Sequence, residues 1–203
     1  SIGKQAEMHA EATVHNRETS SQTFQVEWTI LNREKKVIAT HQSANATFAP
    51  NEKLTVKSNF NIPNTQLWDT EHPYLYTLIT KITANGKTTD LIHTRFGVRT
   101  FSYQPDGFYL NNKKMKIKGV CVHQDHAGVG TALLDELQYY RVGLLKAMGA
   151  NAYRTAHHPH SPVVLQACDS LGLLVMDETR LLNSGREYRQ QFEDLIKRDR
   201  NHA

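Results

Sequence analysis

The hydrophobic residues of this chain change their spacing about half-way along the sequence. Up to about residue 104, apolar residues such as Phe24, Val26 and Trp28 alternate with polar ones, which places them on one face of a half-buried strand. From residue 107 onward, short apolar segments alternate with stretches of helical spacing. The first pattern favours strands alone and the second favours strands alternating with helices, so we expect two parts of different structural class.

The first part, residues 1–104, is predicted to be an immunoglobulin-like β-sandwich. Asn85-Gly86 predicts a hairpin between residues 76–83 and 87–99, because both turn positions tolerate positive φ. Further strands are predicted at residues 6–16, 24–30, 37–48 and 54–62. Six or seven short strands within about 100 residues are typical of this architecture. The Cys…Trp…Cys spacing of true immunoglobulin domains is missing, so the prediction concerns architecture alone.

The second part, residues 105–203, is predicted to be built from parallel βα units. A turn at Asn111-Asn112 leads into an apolar strand, and three alternations of strand and helix follow, which is typical of an α/β fold. Three units cannot close the eight-stranded (β/α)8 TIM barrel, so the segment is either a small open sheet or a truncated barrel. The predicted strands are residues 115–122, 152–155 and 173–176. The second and third predicted helices are residues 162–171 and 188–199, and the last of these carries Phe192, Leu195 and Ile196 on one face. The first predicted helix carries six apolar residues at helical spacing: Leu134, Leu137, Tyr140, Leu144, Leu145 and Met148.

Composition argues against several classes of function. No apolar run approaches the roughly 18–20 residues that a membrane span needs. The formal charge of +4 is spread along the chain, and the basic stretch at residues 113–118 alternates as a solvated strand does, so we expect no nucleic-acid partner. Cys121 and Cys168 are predicted to be buried free thiols, with no disulfide framework. The first residues, 1–4, show neither an initiator methionine nor a signal-peptide pattern, and we expect an internal segment.

Unusual polar residues follow each of the three predicted strands. In βα barrels, reactive groups project from the carboxyl ends of the strands. Five histidines follow the first two strands, which predicts a solvent-accessible site rather than isolated structural histidines. The three groups are His123-Gln124-Asp125-His126, then Arg154-Thr155-Ala156-His157-His158-Pro159-His160, and finally Asp177-Glu178.

Five motifs, in order along the chain, resemble those of glycoside hydrolase family 2, and of its β-galactosidases in particular. Residues 118–126, KGVCVHQDH, resemble the family's Gly-Val-Asn-x-His-Glu-x-His segment, and residues 154–159, RTAHHP, are similar to its Arg-x-Ser-His-Tyr-Pro segment. Residues 175–178, VMDE, are similar to its apolar strand ending in Asp-Glu. Residues 67–76, LWDTEHPYLY, and 96–99, FGVR, resemble signatures of its central sandwich domain.

The resemblance implies that the chain is part of a retaining exo-β-glycosidase that hydrolyses terminal β-D-galactosides. Its partner is then a β-galactoside or a related oligosaccharide, with no cofactor and no membrane or nucleic-acid partner. In the family, the acid/base glutamate ends the fourth barrel strand and the nucleophilic glutamate follows later. Both are expected beyond residue 203, so we expect this chain alone to be inactive.

The resemblance also assigns roles to individual residues. His123 and His157 should bind sugar hydroxyls, because an imidazole can donate or accept through either nitrogen. Arg154 should lie under the nucleophile and keep it ionised, although a packing role stays open. Asp177 and Glu178 are adjacent in sequence and point to opposite sides, so they cannot form the catalytic carboxylate pair with each other and are supporting groups. The remaining substrate-binding candidates, expected at the rim, are Asp125, His126 and His158.

Two departures from the family pattern bear on metal and sugar specificity. Leu182 and Ser184 replace a carboxylate and an imidazole in a stretch that supplies magnesium ligands in some members. Leucine offers no ligand atom to a hard cation, so we expect no metal there. Cys121 replaces an asparagine of the first motif, which leaves β-glucuronidase or β-mannosidase activity open.

Two alternative functions and one expectation about oligomeric state remain at this point. One is a metallohydrolase, although His-x-x-His on a strand does not place both imidazoles on one side. Another is a non-catalytic carbohydrate-binding or scaffold module, which should expose aromatic residues on a sheet face. An incomplete barrel should also expose apolar surface, so a homo-oligomer is expected. The metal ligands of the first alternative would be His123, His126, His157 and Asp177.

Overall fold

The computed structural model describes residues 5–181 and 183–203, which form two compact units. The first unit comprises residues 5–66 with Tyr76–Phe96, and the second comprises Leu67–Leu75 with Gly97–Ala203. The expectations for residues 1–4, and the replacement of a metal ligand by Leu182, lie outside the described residues.

The first unit is a sandwich of two antiparallel sheets. One sheet pairs β1 with β5 over their whole length, with Ala10 opposite Ser58. The other has the order β3-β2-β6-β7, with β4 also pairing with β2. Trp28 and Val26 are fully buried in the core between the sheets. The strands are β1 (Gln5–His15), β2 (Gln22–Leu31), β3 (Val37–Gln42), β4 (Ala46–Phe48), β5 (Lys53–Pro63), β6 (Leu75–Ala84) and β7 (Lys87–Gly97).

The turns and strands of this unit lie where the sequence predicts them, with one difference. Asn85 and Gly86 have φ of 50° and 75°, which confirms the predicted hairpin. The single strand predicted at residues 37–48 is instead two strands, β3 and β4. Ser43 causes the break, because its amide donates to the Val26 carbonyl and its hydroxyl accepts from the Val26 amide, 2.8 and 3.0 Å away.

The second unit contains an antiparallel sheet of order β10-β9-β8 and a parallel sheet of order β11-β12-β13. β8 pairs with β9, with Phe101 opposite Leu110. The predicted domain boundary between residues 104 and 105 therefore separates two paired strands, and the compact units divide near residue 97 instead. The elements are β8 (Phe101–Gln104), β9 (Gly107–Leu110), β10 (Lys113–Met115), β11 (Gly119–Val122), α1 (Asp135–Ala147), β12 (Ala152–Thr155), α2 (Pro162–Leu171), β13 (Leu174–Met176) and α3 (Arg186–Asp199).

The predicted helices are confirmed, but α1 does not bury its predicted apolar stripe. Its buried residues are Gln138 and Val142. Val142 packs with Val164 and Leu165 of α2 in the core beside the parallel sheet, and this packing sets the rotation of the helix. Four of the six predicted residues are exposed: Leu134, Tyr140, Leu144 and Met148. On α3, Leu195 is buried while Phe192 and Ile196 are half exposed.

The segment Leu67–Leu75 packs within the second unit, although the sequence predicts it as part of the sandwich. Trp68 is fully buried, and its Nε1 donates to the carbonyl of Asp169, 2.8 Å away. Gly172 ends α2 with φ of 79° and approaches the Thr70 backbone so closely that a Cβ would overlap it. Glycine is therefore required at this position both for its conformation and for its lack of a side chain.

No helix in residues 5–181 or 183–203 is both long and apolar enough to cross a membrane.

Candidate active site at the strand ends

Three parallel strands bring the predicted site residues to one edge of their sheet. Cys121 of β11 lies opposite Arg154 of β12, which lies opposite Met176 of β13. His123 and His157 follow the first two of these strands. Because parallel strands end at the same edge, the groups that follow them meet there.

Glu178 joins the second and third strands through its two carboxylate oxygens. Arg154 donates from Nε to Oε2 at 2.9 Å, and Nδ1 of His157 lies 2.9 Å from Oε1. The bond to His157, with that to Arg154, lowers the pKa of Glu178 against the opposing effect of burial. Glu178 is therefore an ionised acceptor at neutral pH and a poor proton donor.

His123 completes this group at the end of β11. Its ring centroid lies 5.4 Å from that of His157, with the planes 82° apart, while its backbone carbonyl accepts a 2.9 Å bond from Nη2 of Arg141. Both imidazoles are exposed, so each has a ring nitrogen available to a ligand. We call His123, Arg154, His157 and Glu178 the strand-end cluster.

The three predicted rim residues have different surroundings. His158 is half-buried, with Nδ1 3.0 Å from the Pro159 carbonyl. His126 is exposed and its Nδ1 lies 3.0 Å from the Ala127 carbonyl. Asp125 is exposed, and no hydrogen bond of its side chain is found within the described part of the chain. None of the three makes a described hydrogen bond to the strand-end cluster, and their binding roles stay predictions.

Asp177 is turned away from the cluster, as expected for the neighbour of Glu178 in an extended strand. Its Oδ1 accepts from the Thr155 hydroxyl at 2.9 Å and from the Glu178 amide at 3.1 Å. Burial, together with the carboxyl of Asp199, raises the pKa of Asp177 to about 6, against the lowering effect of Thr155. Asp177 thus supports the strand ends from inside the unit.

Cys121 is exposed, so the prediction of a buried thiol is wrong for this residue, while Cys168 is buried and both are free. Sγ of Cys121 lies 3.4 Å from Nη1 of Arg154. The two residues occupy paired positions on neighbouring strands, so their side chains lie on one face of the sheet. The sequence marked Cys121 as a departure from a motif but did not reveal its contact with Arg154.

His160 belongs to the core rather than to the open site. It is fully buried, and its Nδ1 lies 3.0 Å from the Tyr153 hydroxyl. Burial lowers the pKa of His160 to about 4, so its ring is neutral at physiological pH.

The metal-site alternative finds little support in the geometry. Within residues 5–181 and 183–203, no three His, Cys, Asp or Glu side chains are grouped so that they could hold a metal ion. His123 and His157 are neighbours, whereas His126 and Asp177 make their contacts elsewhere.

Comparison with protein families identifies the chain. Residues 1–99 match the family described as glycosyl hydrolases family 2, and residues 102–203 match the TIM barrel domain of the same family. The chain belongs to glycosyl hydrolase family 2. The fold class predicted from the sequence, an immunoglobulin-like sandwich followed by a truncated TIM barrel, is confirmed.

Individual members of glycosyl hydrolase family 2 match almost the whole chain. A beta-galactosidase of Bacteroides ovatus is 34% identical over 98% of this chain and 25% of its own length. The beta-glucuronidase of Mus musculus is 32% identical over 90% of this chain and 28% of its own. A crystal structure of a family 2 member from Bacteroides cellulosilyticus superposes with a TM-score of 0.89 at 30% identity, over 98% of this chain and 27% of that one. The chain thus spans about a quarter of the length of these relatives.

Proposed function

We propose that this chain supplies part of the sugar-binding site of a retaining exo-β-glycosidase that hydrolyses terminal β-D-galactosides. The observation that carries the proposal is the convergence of Arg154 and His157 on Glu178, with His123 edge-on to His157. A cationic group and two exposed imidazoles at one open sheet edge suit a ligand rich in hydroxyl groups.

In this proposal His123 and His157 bind hydroxyls of the terminal sugar. Glu178 fixes the side chains of Arg154 and His157, since it accepts a hydrogen bond from the first and pairs with the second. Arg154 lies below the position of the nucleophile, where its charge keeps a carboxylate ionised and oriented. Asp125, His126 and His158 contribute to the rim.

We further propose that bond cleavage requires groups outside this chain. Retaining glycosidases use two carboxyl groups about 5–5.5 Å apart, one of them a proton donor with a raised pKa. Glu178 has a lowered pKa and both of its oxygens are engaged. Asp177 has a raised pKa but is directed toward Thr155 and Asp199. Neither carboxyl meets the requirements of the acid/base.

A β-glucuronidase is the second candidate, because relatives of similar identity carry that name and others are named beta-galactosidase. The two sugars differ at C4, where the hydroxyl is axial in a galactoside and equatorial in a glucuronide, and at C6, which is a hydroxymethyl group in the first and a carboxylate in the second. Parallel assays of the full-length parent protein with chromogenic β-galactoside and β-glucuronide would distinguish them. A preference for the glucuronide would contradict the galactoside assignment.

Two measurements test the proposal as a whole. The 203-residue chain should release no chromophore from either glycoside, and the full-length parent should turn over one of them. In the parent, Arg154→Ala should lower kcat/KM by about 10²-fold or more, as expected for loss of a group that orients transition-state charge. Arg189→Ala is the matched control, since Arg189 is exposed on α3 and its side chain makes no described hydrogen bond to the cluster. Turnover by the 203-residue chain, or an unaffected Arg154 variant, would contradict the proposal.

A further inference from the structure

The guanidinium of Arg154 has a polar partner on each side. Its Nε donates to Oε2 of Glu178 at 2.9 Å, and its Nη1 lies 3.4 Å from Sγ of Cys121. The two partners come from different strands, because Cys121 belongs to β11 and Glu178 follows β13, while Arg154 lies on β12 between them. The guanidinium is therefore held from both neighbouring strands and not by the carboxylate alone.

These two contacts fix the plane of the guanidinium. The group is rigid and planar and carries its N–H donors in a fixed fork. A bond at Nε alone would let the group pivot about that bond, and a second contact at Nη1, at the other end of the fork, prevents the pivot. Nη2 lies between the two engaged nitrogens. No hydrogen bond of Nη2 is found within residues 5–181 and 183–203, and the side chain of Arg154 is 40% exposed, so this nitrogen is accessible to a ligand.

A thiol suits the role of second partner because sulfur is a weak acceptor. It orients Nη1 without placing another carboxylate beside the cation. The hydrogen bonds to Cys121 and Glu178 raise the pKa of Arg154, as expected for acceptors that favour the charged form. Arg154 is thus ordered by Cys121 and keeps its positive charge for a further anionic partner.

We propose that Cys121 is a positioning residue for the glycosidase reaction: its sulfur accepts from Nη1 of Arg154 and so keeps Nη2 in a fixed place for the nucleophilic carboxylate. The inference rests on the proposed function, in which Arg154 keeps that carboxylate ionised and oriented. The effect of Cys121 on catalysis is exerted through Arg154 and not by contact with the sugar.

The alternative role for Cys121 is simple packing beside Arg154. Met176 allows the two roles to be separated, since it is the strand neighbour of Arg154 on the other side and is 63% exposed. The described hydrogen bonds of Arg154 do not include Met176. A packing role predicts similar effects from changes in either neighbour. A positioning role predicts that only loss of the acceptor at residue 121 matters.

Nuclear magnetic resonance of the 203-residue chain tests the contact without a catalytic readout. With isotope-labelled arginine, the Nε–H signal of Arg154 is assigned as the one lost in Arg154→Lys. In Cys121→Ala this N–H should exchange with water about tenfold faster, because a guanidinium released at Nη1 leaves Glu178 more often. Cys121→Ser, which keeps an acceptor, and Met176→Leu, the matched control, should stay within about twofold of the wild-type rate.

Kinetics of the full-length parent protein test the consequence for catalysis. Cys121→Ala should lower kcat about tenfold, because a small misplacement of an orienting group is costly, and should change KM by about twofold or less. Cys121→Ser should keep most of the wild-type activity. In the Arg154→Ala background, Cys121→Ala should cause no further loss, since the residue acts through that side chain.

Three results would overturn the proposal: equal losses of kcat in Cys121→Ala and Cys121→Ser, unchanged exchange of the Arg154 Nε–H in Cys121→Ala, or a further loss in the Arg154→Ala background. The first of these would indicate packing alone. The proposed function fails separately, if Arg154→Ala leaves the parent fully active, whereas a failure confined to the Cys121 variants leaves the proposed function standing.

Discussion

The imidazole of His202 lies against the carboxylate of Asp169, with Nδ1 2.5 Å from Oδ2. Asp169 is buried, and its other oxygen accepts a 2.9 Å bond from the Ala203 amide. Because Asp169 belongs to α2, these contacts attach the last two residues of the chain to that helix. Burial alone would lower the pKa of His202, but the hydrogen bond to Asp169 outweighs it and raises the pKa.

His202→Ala should destabilise the chain by about 1–3 kcal/mol at pH 6, because it removes the partner of Oδ2 of the buried Asp169 carboxylate. The folded pKa of His202 exceeds its unfolded value of about 6.5, so the charged pair contributes fully below that pH. Its contribution is lost as the pH rises through the folded pKa. Denaturant unfolding of both proteins across this range measures the change, with the exposed His72→Ala as control. A pH-independent difference would contradict the charged pair.

Asp177→Asn should raise the free energy of unfolding at pH 7 and have little effect at pH 4. The folded pKa of Asp177, about 6, exceeds the ordinary carboxyl value. The protonated group therefore stabilises the folded state fully below the ordinary value, and this stabilisation is lost as the pH rises through 6. An asparagine can still accept from Thr155 and can donate to Asp199. We expect a gain of about 1–2 kcal/mol at pH 7 after allowing for solvent screening.

Thermal unfolding at the two pH values measures this effect. Asp194→Asn, on the exposed surface of α3, should be neutral at both and is the control. Destabilisation by Asp177→Asn at pH 7 would mean that the ionised carboxylate is the favoured form.

The two thiols should react at different rates in the native chain. Cys121 is exposed, whereas Cys168 is fully buried and burial raises its thiol pKa. A colorimetric thiol reagent should therefore modify one cysteine rapidly and the second only after unfolding. Cys121→Ser should abolish the fast phase and Cys168→Ser should preserve it. Two fast thiols in the native protein would contradict the buried position of Cys168.

The 203-residue chain should self-associate through the exposed apolar side chains of its helices. Tyr140 and Leu144 lie one turn apart on α1, and Phe192 and Ile196 lie one turn apart on α3. Exposed apolar surface of this kind favours association. Light scattering should detect species larger than a monomer, and Tyr140→Glu with Leu144→Glu should reduce them. Val37→Glu on the sandwich, at 62% exposure, should not. A monomeric wild-type chain would contradict this prediction.

Local patterns in the sequence predicted most elements. The strand predicted at residues 37–48 is two strands, the one predicted at 115–122 is interrupted between β10 and β11, and β8 was not predicted. Pro162 and Gly172 bound α2 as predicted, and Asn85-Gly86 forms the predicted hairpin turn. These features depend on backbone conformations that a few neighbouring residues control. The candidate site was predictable for a related reason, since parallel strands of known order carry His123, Arg154 and His157 to the same edge.

The sequence by itself determined most of the strands and all three helices, and which strand ends carry the polar residues. Only the tertiary structure decided which faces are covered: Val142 rather than Leu144 is buried on α1, Cys121 is exposed, and Leu67–Leu75 packs with the second unit. The physical reason is that periodicity specifies the spacing of apolar side chains along one element, whereas burial depends on elements distant in the sequence. The hydrogen bond from Trp68 to Asp169 spans 101 residues, and no local pattern contains that information.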